Sequence, residues 1–124
     1  MKITNLQLTR SFEAYAELMD QNLPVALAFS LAQGMNTLRT AYESFNGVQK
    51  KIVDTDALKD ESGKPRTLPG NPNAILLTQT GQTKLQELHA ITIDIPLERF
   101  SISMLGDIKM KPSSIFLLDW LITA

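Results

Sequence analysis

The sequence predicts an α+β fold: a long helical hairpin, a small antiparallel sheet and a C-terminal apolar helix. Two patterns of apolar residues carry this prediction. From Leu31 to Ile52 apolar residues recur at alternating steps of four and three, the spacing of a helix that buries one seam. From Ile91 to Leu97 they alternate with polar residues, which is typical of a half-buried strand. The helical part is therefore followed by a part that forms strands.

The overall composition is that of one globular domain, residues 1–124. The chain has 44% hydrophobic residues and a formal charge of -1, so a core is expected and general nucleic-acid binding is not. Because the sequence has no cysteine, disulfides and cysteine-ligated metals are excluded. No apolar run approaches the roughly 20 residues that span a bilayer, so we expect neither a membrane segment nor a signal peptide.

The first two helices are predicted at residues 5–22 and 24–54. Thr4 and Gln7 have the spacing of a capping box, which satisfies free N–H groups at a helix start. Pro24 suits the first turn of the second helix, where its missing N–H has no intrahelical partner. The heptad seam of this second helix comprises Leu31, Met35, Leu38, Tyr42, Phe45, Gln49 and Ile52.

The remaining elements are shorter. Proline and glycine interrupt residues 55–72, which predicts an exposed loop that is either functional or disordered. A third helix is expected over 73–89, returning along the second, and strands are expected near 91–104 and 108–110. The final helix, 112–122, is apolar on nearly every side, so it is either fully buried or an assembly surface.

Catalytic chemistry finds little support. His89 is the only histidine and thus the only histidine base that a small hydrolase could use. Its predicted place near a helix C-terminus favours a different role, a favourable interaction with the helix dipole. The acidic segment from Asp54 has Leu58 and Lys59 where a calcium loop needs an oxygen ligand and a glycine. Glycine-rich phosphate loops are absent as well. We therefore expect no enzyme activity, no metal and no cofactor.

Binding is the better-supported class. The seam and the apolar terminal helix both favour a homo-oligomer, because a chain of this size has few surfaces to bury them. An oligomer that gathered Arg39, Tyr42 and Arg66 could hold a phosphorylated, nucleotide-like ligand, although such charges more often solvate a helix. The residues expected at the oligomer interface are Leu31, Met35, Leu38, Phe45, Phe116 and Trp120.

Short motifs also give the chain a resemblance to a known group. They include the opening Met1-Lys2-Ile3-x-Asn5, the corner Leu23-Pro24-Val25 and the helix centre Tyr42-Glu43-Ser44-Phe45. Together they resemble a loosely defined family of short, mostly uncharacterised tailed-bacteriophage proteins. The resemblance implies a viral source and carries no activity or functional residue with it. The other motifs that contribute are Asp60-Glu61-Ser62-Gly63, Glu87 to Ile93 and Ser113-Ser114.

The hypothesis that follows is a non-enzymatic, oligomeric phage accessory protein in the cytoplasm of the infected bacterial host. It would bind a host protein or sequester a small defence-related ligand. The alternative is a structural or assembly protein of the virion, for which the same oligomer signals serve equally well. A small hydrolase that works through His89 is a third, weaker class.

Overall fold

The protein is a mixture of helices and short strands, as the sequence predicts. The computed structural model describes residues 1–106 and 108–123, except the side chains of Pro72 and Asn73. The helices are α1 (Asn5–Met19), α2 (Val25–Asp56), α3 (Gln79–Ala90) and α4 (Pro112–Leu117), and a 3-10 helix covers Ile102–Leu105. The strands are β1 (Lys2–Thr4), β2 (Thr67–Leu68), β3 (Asn71–Ile75), β4 (Thr92–Asp94), β5 (Phe100–Ser101) and β6 (Ile122–Thr123).

Two compact units make up the chain. The first contains residues 1–42 and 92–124, and the second contains residues 43–91. Helix α2 contributes its N-terminal half to the first unit and its C-terminal half to the second. Each unit has a buried apolar cluster of its own.

Helix α1 begins as its sequence predicts. Thr4 Oγ1 accepts a hydrogen bond from the N–H of Gln7 at 3.2 Å, and Gln7 Oε1 accepts one from the N–H of Thr4 at 2.9 Å. The predicted capping box is confirmed, and it satisfies N–H groups that have no partner inside the helix. The helix ends at Met19, with Asp20 closing the last turn, three residues before the predicted end.

Buried polar groups tie α1 to the rest of the first unit. The Tyr15 hydroxyl donates to the carbonyl of Leu31 at 2.6 Å, and both side chains are fully buried. The Trp120 indole N–H donates to Ser11 Oγ at 3.0 Å, and the Ser11 hydroxyl in turn donates to the carbonyl of Gln7. Because buried polar groups are costly unless paired, these bonds let α1 pack closely against its neighbours.

The strands of the first unit form two separate pairs. Strands β1 and β4 pair antiparallel, with Ile3 opposite Ile93, so a small antiparallel sheet is present as expected, but its first strand was not predicted. Strands β5 and β6 pair parallel, which the sequence analysis did not foresee. The strand expected over 91–104 is interrupted after Asp94, where the N–H of Leu97 donates to the carbonyl of Ile95 across Pro96. Residues 108–110 are not a strand.

The terminal helix is shorter than predicted. Helix α4 stops at Leu117, whereas the apolar run of the sequence predicts a helix to residue 122. Leu118, Trp120 and Leu121 are buried in the turns that follow. A short straight helix that is apolar on all sides cannot turn every side chain toward one core. The chain therefore leaves the helix and pairs with β5, where the N–H of Phe100 donates to the carbonyl of Leu121 at 3.1 Å.

In the second unit, α2 and α3 form the predicted helical hairpin. Phe45, Ile52 and Leu88 form the buried cluster between the two helices, with Leu77 and Leu85 packed against it. Helix α3 begins at Gln79 instead of residue 73, because residues 71–75 belong to β3. Thr78 caps this later start by accepting a hydrogen bond from the N–H of Gly81 at 3.1 Å.

The segment 55–72, expected as a loop, is hydrogen bonded to the chain that follows it. Three backbone bonds form a ring: Leu58 N–H donates to Leu76, Leu76 N–H to Arg66, and Arg66 N–H to Leu58, at 2.9, 2.8 and 2.7 Å. Strands β2 and β3 pair next to this ring. A segment with few apolar residues is thus ordered by its backbone groups, which the composition of its side chains does not reveal.

The acidic turn within this segment is also ordered. The Asp60 carboxylate accepts hydrogen bonds from the hydroxyl and N–H of Ser62 and from the N–H of Lys64. The Ser62 hydroxyl, followed by the Lys64 N–H, holds the pKa of the Asp60 carboxyl below its usual value. The turn is therefore closed by hydrogen bonds to its own backbone.

The seam of α2 is confirmed, and it is divided between the two units. Leu31, Met35 and Leu38 are buried in the first unit, whereas Phe45 and Ile52 are buried in the second. The helix passes through Gly47 without a break. The seam is covered by the chain itself, so it gives no reason to expect a second chain.

Two glycines of α2 should respond in opposite ways to alanine. A Cβ at Gly34 would lie 2.5 Å from Leu97 Cδ1 and 2.6 Å from Tyr15 Oη, whereas a Cβ at Gly47 would meet nothing within 4 Å. We expect Gly47→Ala to stabilise the protein by up to about 1 kcal/mol through helix propensity. Gly34→Ala should destabilise it by about 1–3 kcal/mol through overpacking. Urea unfolding of both variants measures this, and equal effects would contradict the close packing at Gly34.

Tyr15 should make stability fall in alkaline solution. Burial raises the pKa of its hydroxyl, whereas an unfolded tyrosine ionises near about pH 10. Above that pH the unfolded chain loses this proton and the folded chain keeps it, so the free energy of unfolding decreases by up to about 1.4 kcal/mol per pH unit. Tyr15→Phe should remove this part of the pH dependence, and the half-buried Tyr42→Phe is the control. An unchanged pH slope for Tyr15→Phe in urea unfolding would contradict the prediction.

Candidate functional site

The side of α2 opposite its buried seam is the candidate site. Residues separated by three and four positions share one side of a helix. We define the outer face of α2 as the exposed residues that lie on this side in its N-terminal half. They are Val25, Ala28, Phe29, Ala32 and Asn36.

Two large apolar side chains dominate the outer face. Val25 is 86% exposed and Phe29 is 65% exposed. Helix propensity does not account for them, because valine and phenylalanine are both weaker helix formers than the alanines around them. Burial of such a side chain contributes about 1.5–3 kcal/mol, and none of this contribution is realised while it faces water.

The outer face is also free of charge. The sequence has no charged residue between Asp20 and Arg39. Beyond Asn36 the same side of α2 continues with Arg39 and then Glu43, both exposed. One side of a single helix therefore changes from apolar to charged near Asn36. An ordinary solvated helix carries charged residues along the whole of such a side.

The local sequence places this face at the very start of the helix. Pro24 precedes the first helical residue, and its carbonyl accepts a hydrogen bond from the N–H of Ala28 at 2.9 Å. The buried seam begins at Leu31, on the opposite side. The packing of Leu31 under Tyr15 thus fixes which side of the first turns faces outward.

A groove lies on another side of α2, and none of the outer-face residues lines it. It encloses about 840 Å³, and Leu27, Ser30 and Leu31 form its α2 side. Residues 94–100, which bend at Pro96, form the opposite side together with Met104, a side chain that is 53% exposed. The groove is therefore separate from the outer face of α2.

A second cavity contains the predicted ligand residue Tyr42. It encloses about 540 Å³ and has Arg10 and Lys111 as cations and Glu13 and Glu17 as carboxylates. Because the two signs are matched, the cavity does not offer the positive field that a phosphorylated ligand requires. The Tyr42 ring stacks on Phe12 with centroids 4.4 Å apart, so the side chain also serves local packing.

The other predicted ligand residues lie elsewhere. Arg39 is exposed on α2 in the first unit, and it is not among the residues that line the cavity at Tyr42. Arg66 is exposed in the hairpin of the second unit. Within the first unit, the cations beside Tyr42 are Arg10 and Lys111 instead of Arg39.

The six residues expected at an oligomer interface differ sharply in their solvent exposure. Five of them are buried by the chain itself, and Phe116 is 74% exposed on α4. Most of these residues were predicted from their periodicity. A periodic apolar pattern marks a seam buried within the chain as well as it marks an interface between chains. The five buried residues are Leu31, Met35, Leu38, Phe45 and Trp120.

Val25 and Phe29 were not among the predicted site residues, because they belong to no periodic apolar seam. The signal that could have found them is the run without charge from Asp20 to Arg39, which contains both. A helix with one buried side usually carries charged or polar residues on the other side. The absence of charge over four turns distinguishes this surface from the charged C-terminal half of the same helix.

The candidate base His89 is used in packing. Its ring stacks on Phe45 with centroids 5.3 Å apart, at the cluster between α2 and α3. Residues 1–106 and 108–123 contain no group of three histidine or acidic side chains placed to hold a metal ion. Within the same ranges, no helix combines the length and apolar character needed to cross a membrane.

Comparison of the chain with protein-family models, with curated proteins and with solved structures gives no match. The inference of function therefore depends on the surface chemistry described above.

Two phenylalanines of α2 should respond very differently to truncation. Phe29→Ala removes a side chain that is 65% exposed, and we expect the free energy of unfolding to change by less than about 0.5 kcal/mol. Phe45→Ala removes one that is 4% exposed, and we expect a loss of about 3–5 kcal/mol. Urea unfolding in dilute solution compares them on the same helix. A large loss for Phe29→Ala would mean that this ring is part of the core.

Proposed function

We propose that this chain is a non-catalytic binding protein that attaches to another protein chain through the outer face of α2. The observation that carries the proposal is the exposure of Val25 and Phe29, at 86% and 65%, on a part of the helix without charge. Exposed apolar surface with a polar border is the usual mark of a protein-binding site. Arg39 and Glu43 form the polar border on the C-terminal side.

The chemistry of the face favours a protein over a small polar ligand. An aromatic ring and aliphatic side chains gain free energy when they enter a complementary apolar pocket. They offer no hydrogen bonds that would orient a phosphorylated ligand. The matched charges around Tyr42 give that ligand no better site, since Glu13 and Glu17 offset Arg10 and Lys111.

The resemblance to tailed-bacteriophage proteins suggests the biological setting. In that setting we propose an accessory protein that binds a component of the infected host. A part in the virion or its assembly is the alternative, and it would use the same surface. The identity of the bound protein separates the two.

Photo-crosslinking tests the proposal at the surface itself. A photoreactive phenylalanine analogue replaces Phe29 in one variant and Lys50 in a control variant, whose position lies on the same side of α2 in its charged half. Both proteins are produced during phage infection and irradiated, and the products are identified by mass spectrometry. We expect one discrete adduct from position 29 and none from position 50, because only the apolar half presents the binding surface.

The adduct also distinguishes the proposed roles. A host protein supports the accessory role, a virion protein supports the assembly role, and a product of twice 13.8 kDa indicates a second copy of this chain. Equal labelling from positions 29 and 50, or no adduct from position 29, would overturn the proposal.

A further inference from the structure

We infer that the cavity at Tyr42 binds a free amino acid, whose carboxylate is held by Arg10 and Lys111 and whose ammonium group is held by Glu13 and Glu17. None of the residues of the outer face of α2 lines this cavity. The inference therefore adds a small-molecule site to the proposed function and does not depend on it.

Three helices of the first unit form the cavity. Helix α1 supplies most of the lining, α2 supplies Tyr42, and α4 supplies Ser114. On α1, Arg10, Glu13 and Glu17 are separated by three and four positions, so they share one side of the helix. The enclosed volume of about 540 Å³ lies within the range of about 300–1,000 Å³ that is usual for small-ligand pockets.

The charged side chains of the cavity are not paired with one another. Opposite charges that form a salt bridge lie within about 4 Å of each other. Within residues 1–106 and 108–123, the ion pairs are those of Met1 with Asp94 and of Lys84 with Asp56. Neither pair includes any of the four charged side chains that line the cavity. All four are therefore available to a ligand.

The two carboxylates favour a cationic group on the ligand. Glu13 and Glu17 are four positions apart on α1, and like charges at this spacing destabilise a helix. The Ser114 hydroxyl donates a hydrogen bond to Glu17 Oε2 at 2.9 Å, which orients this carboxylate. An ammonium group placed near both carboxylates would offset their repulsion.

The apolar part of the lining fits the side chain of an amino acid. The Phe12 ring stacks on the Tyr42 ring with centroids 4.4 Å apart and an angle of 18° between the ring planes, which holds Tyr42 in place. Ala14 and Leu117 add aliphatic surface to the same lining. A ligand with an apolar side chain gains free energy by burying it against this surface.

The balance of charge selects a zwitterion over other small ligands. A phosphorylated ligand would meet two carboxylates, and a polyamine would meet two cations. A free amino acid carries one charge of each sign, so each can meet an opposite charge in the same cavity. Arg10 suits the carboxylate, because a guanidinium group binds a planar carboxylate through two hydrogen bonds. An amino acid with an apolar side chain is the ligand that matches all of these features.

Calorimetric titration of the full chain with each of the twenty standard amino acids tests the site. We expect saturable binding of at least one amino acid with an apolar side chain, such as leucine, methionine or phenylalanine. The methyl ester of that amino acid lacks the carboxylate charge, and its N-acetyl derivative lacks the ammonium charge. Each derivative should bind about tenfold more weakly, because it loses a charge-assisted hydrogen bond.

Matched variants locate the binding in the cavity. Arg10→Gln and Glu17→Gln each remove one charge, and each should weaken binding about tenfold. Lys2→Gln and Glu98→Gln are the controls, because both residues are exposed in the first unit and neither lines the cavity. The controls should leave the affinity unchanged. Urea unfolding of all four variants checks that they remain folded.

Four results would each overturn the inference. The first is no saturable binding of any of the twenty amino acids at concentrations up to about 10 mM. The second is a preference for amino acids with charged side chains, and the third is undiminished binding of the methyl ester or the N-acetyl derivative. The fourth is an affinity that Arg10→Gln and Glu17→Gln change no more than the controls do. In each case a photo-crosslink from position 29 would leave the proposed function standing, because Phe29 does not line the cavity.

Discussion

The structure depends on the burial of one side of a single helix, α2, by two different parts of the chain. Leu31 and Leu38 are covered in the first unit, and Phe45 and Ile52 are covered in the second. In the first unit the side chains of Leu97 and Tyr15 pack so closely against α2 at Gly34 that a Cβ there would overlap both. Apolar burial supplies most of the stabilisation, and the hydrogen bond to the Leu31 carbonyl keeps the buried Tyr15 hydroxyl satisfied.

This arrangement has a direct consequence for function. Because the chain itself covers the seam of α2, the surface that the proposed binding role would use is on the opposite side. That side is apolar where it includes Val25 and Phe29, and charged from Arg39 onward. The N-terminal half is therefore the part of the helix whose burial by a partner would add stability.

The candidate site was harder to predict than the fold for a physical reason. Residues of a core and residues of an interface are chemically alike, so periodicity selected Leu38 and Trp120, which the chain buries. Phe29 lies off the seam, and its exposure becomes evident only when the buried side of α2 is known. The gap in charge from Asp20 to Arg39 was visible in the sequence, but its meaning depends on knowing which side of the helix is exposed.

By itself, the sequence determined the extent of the α2 seam and the cap at Thr4, because both depend on residues within four positions of each other. Only the tertiary structure decided that residues 55–72 form a hydrogen-bonded hairpin and that α4 ends at Leu117. Those outcomes depend on backbone groups far apart in the chain, such as Phe100 and Leu121. Tertiary packing also decided which apolar side chains stay exposed, because a side chain is buried only when a distant part of the chain covers it.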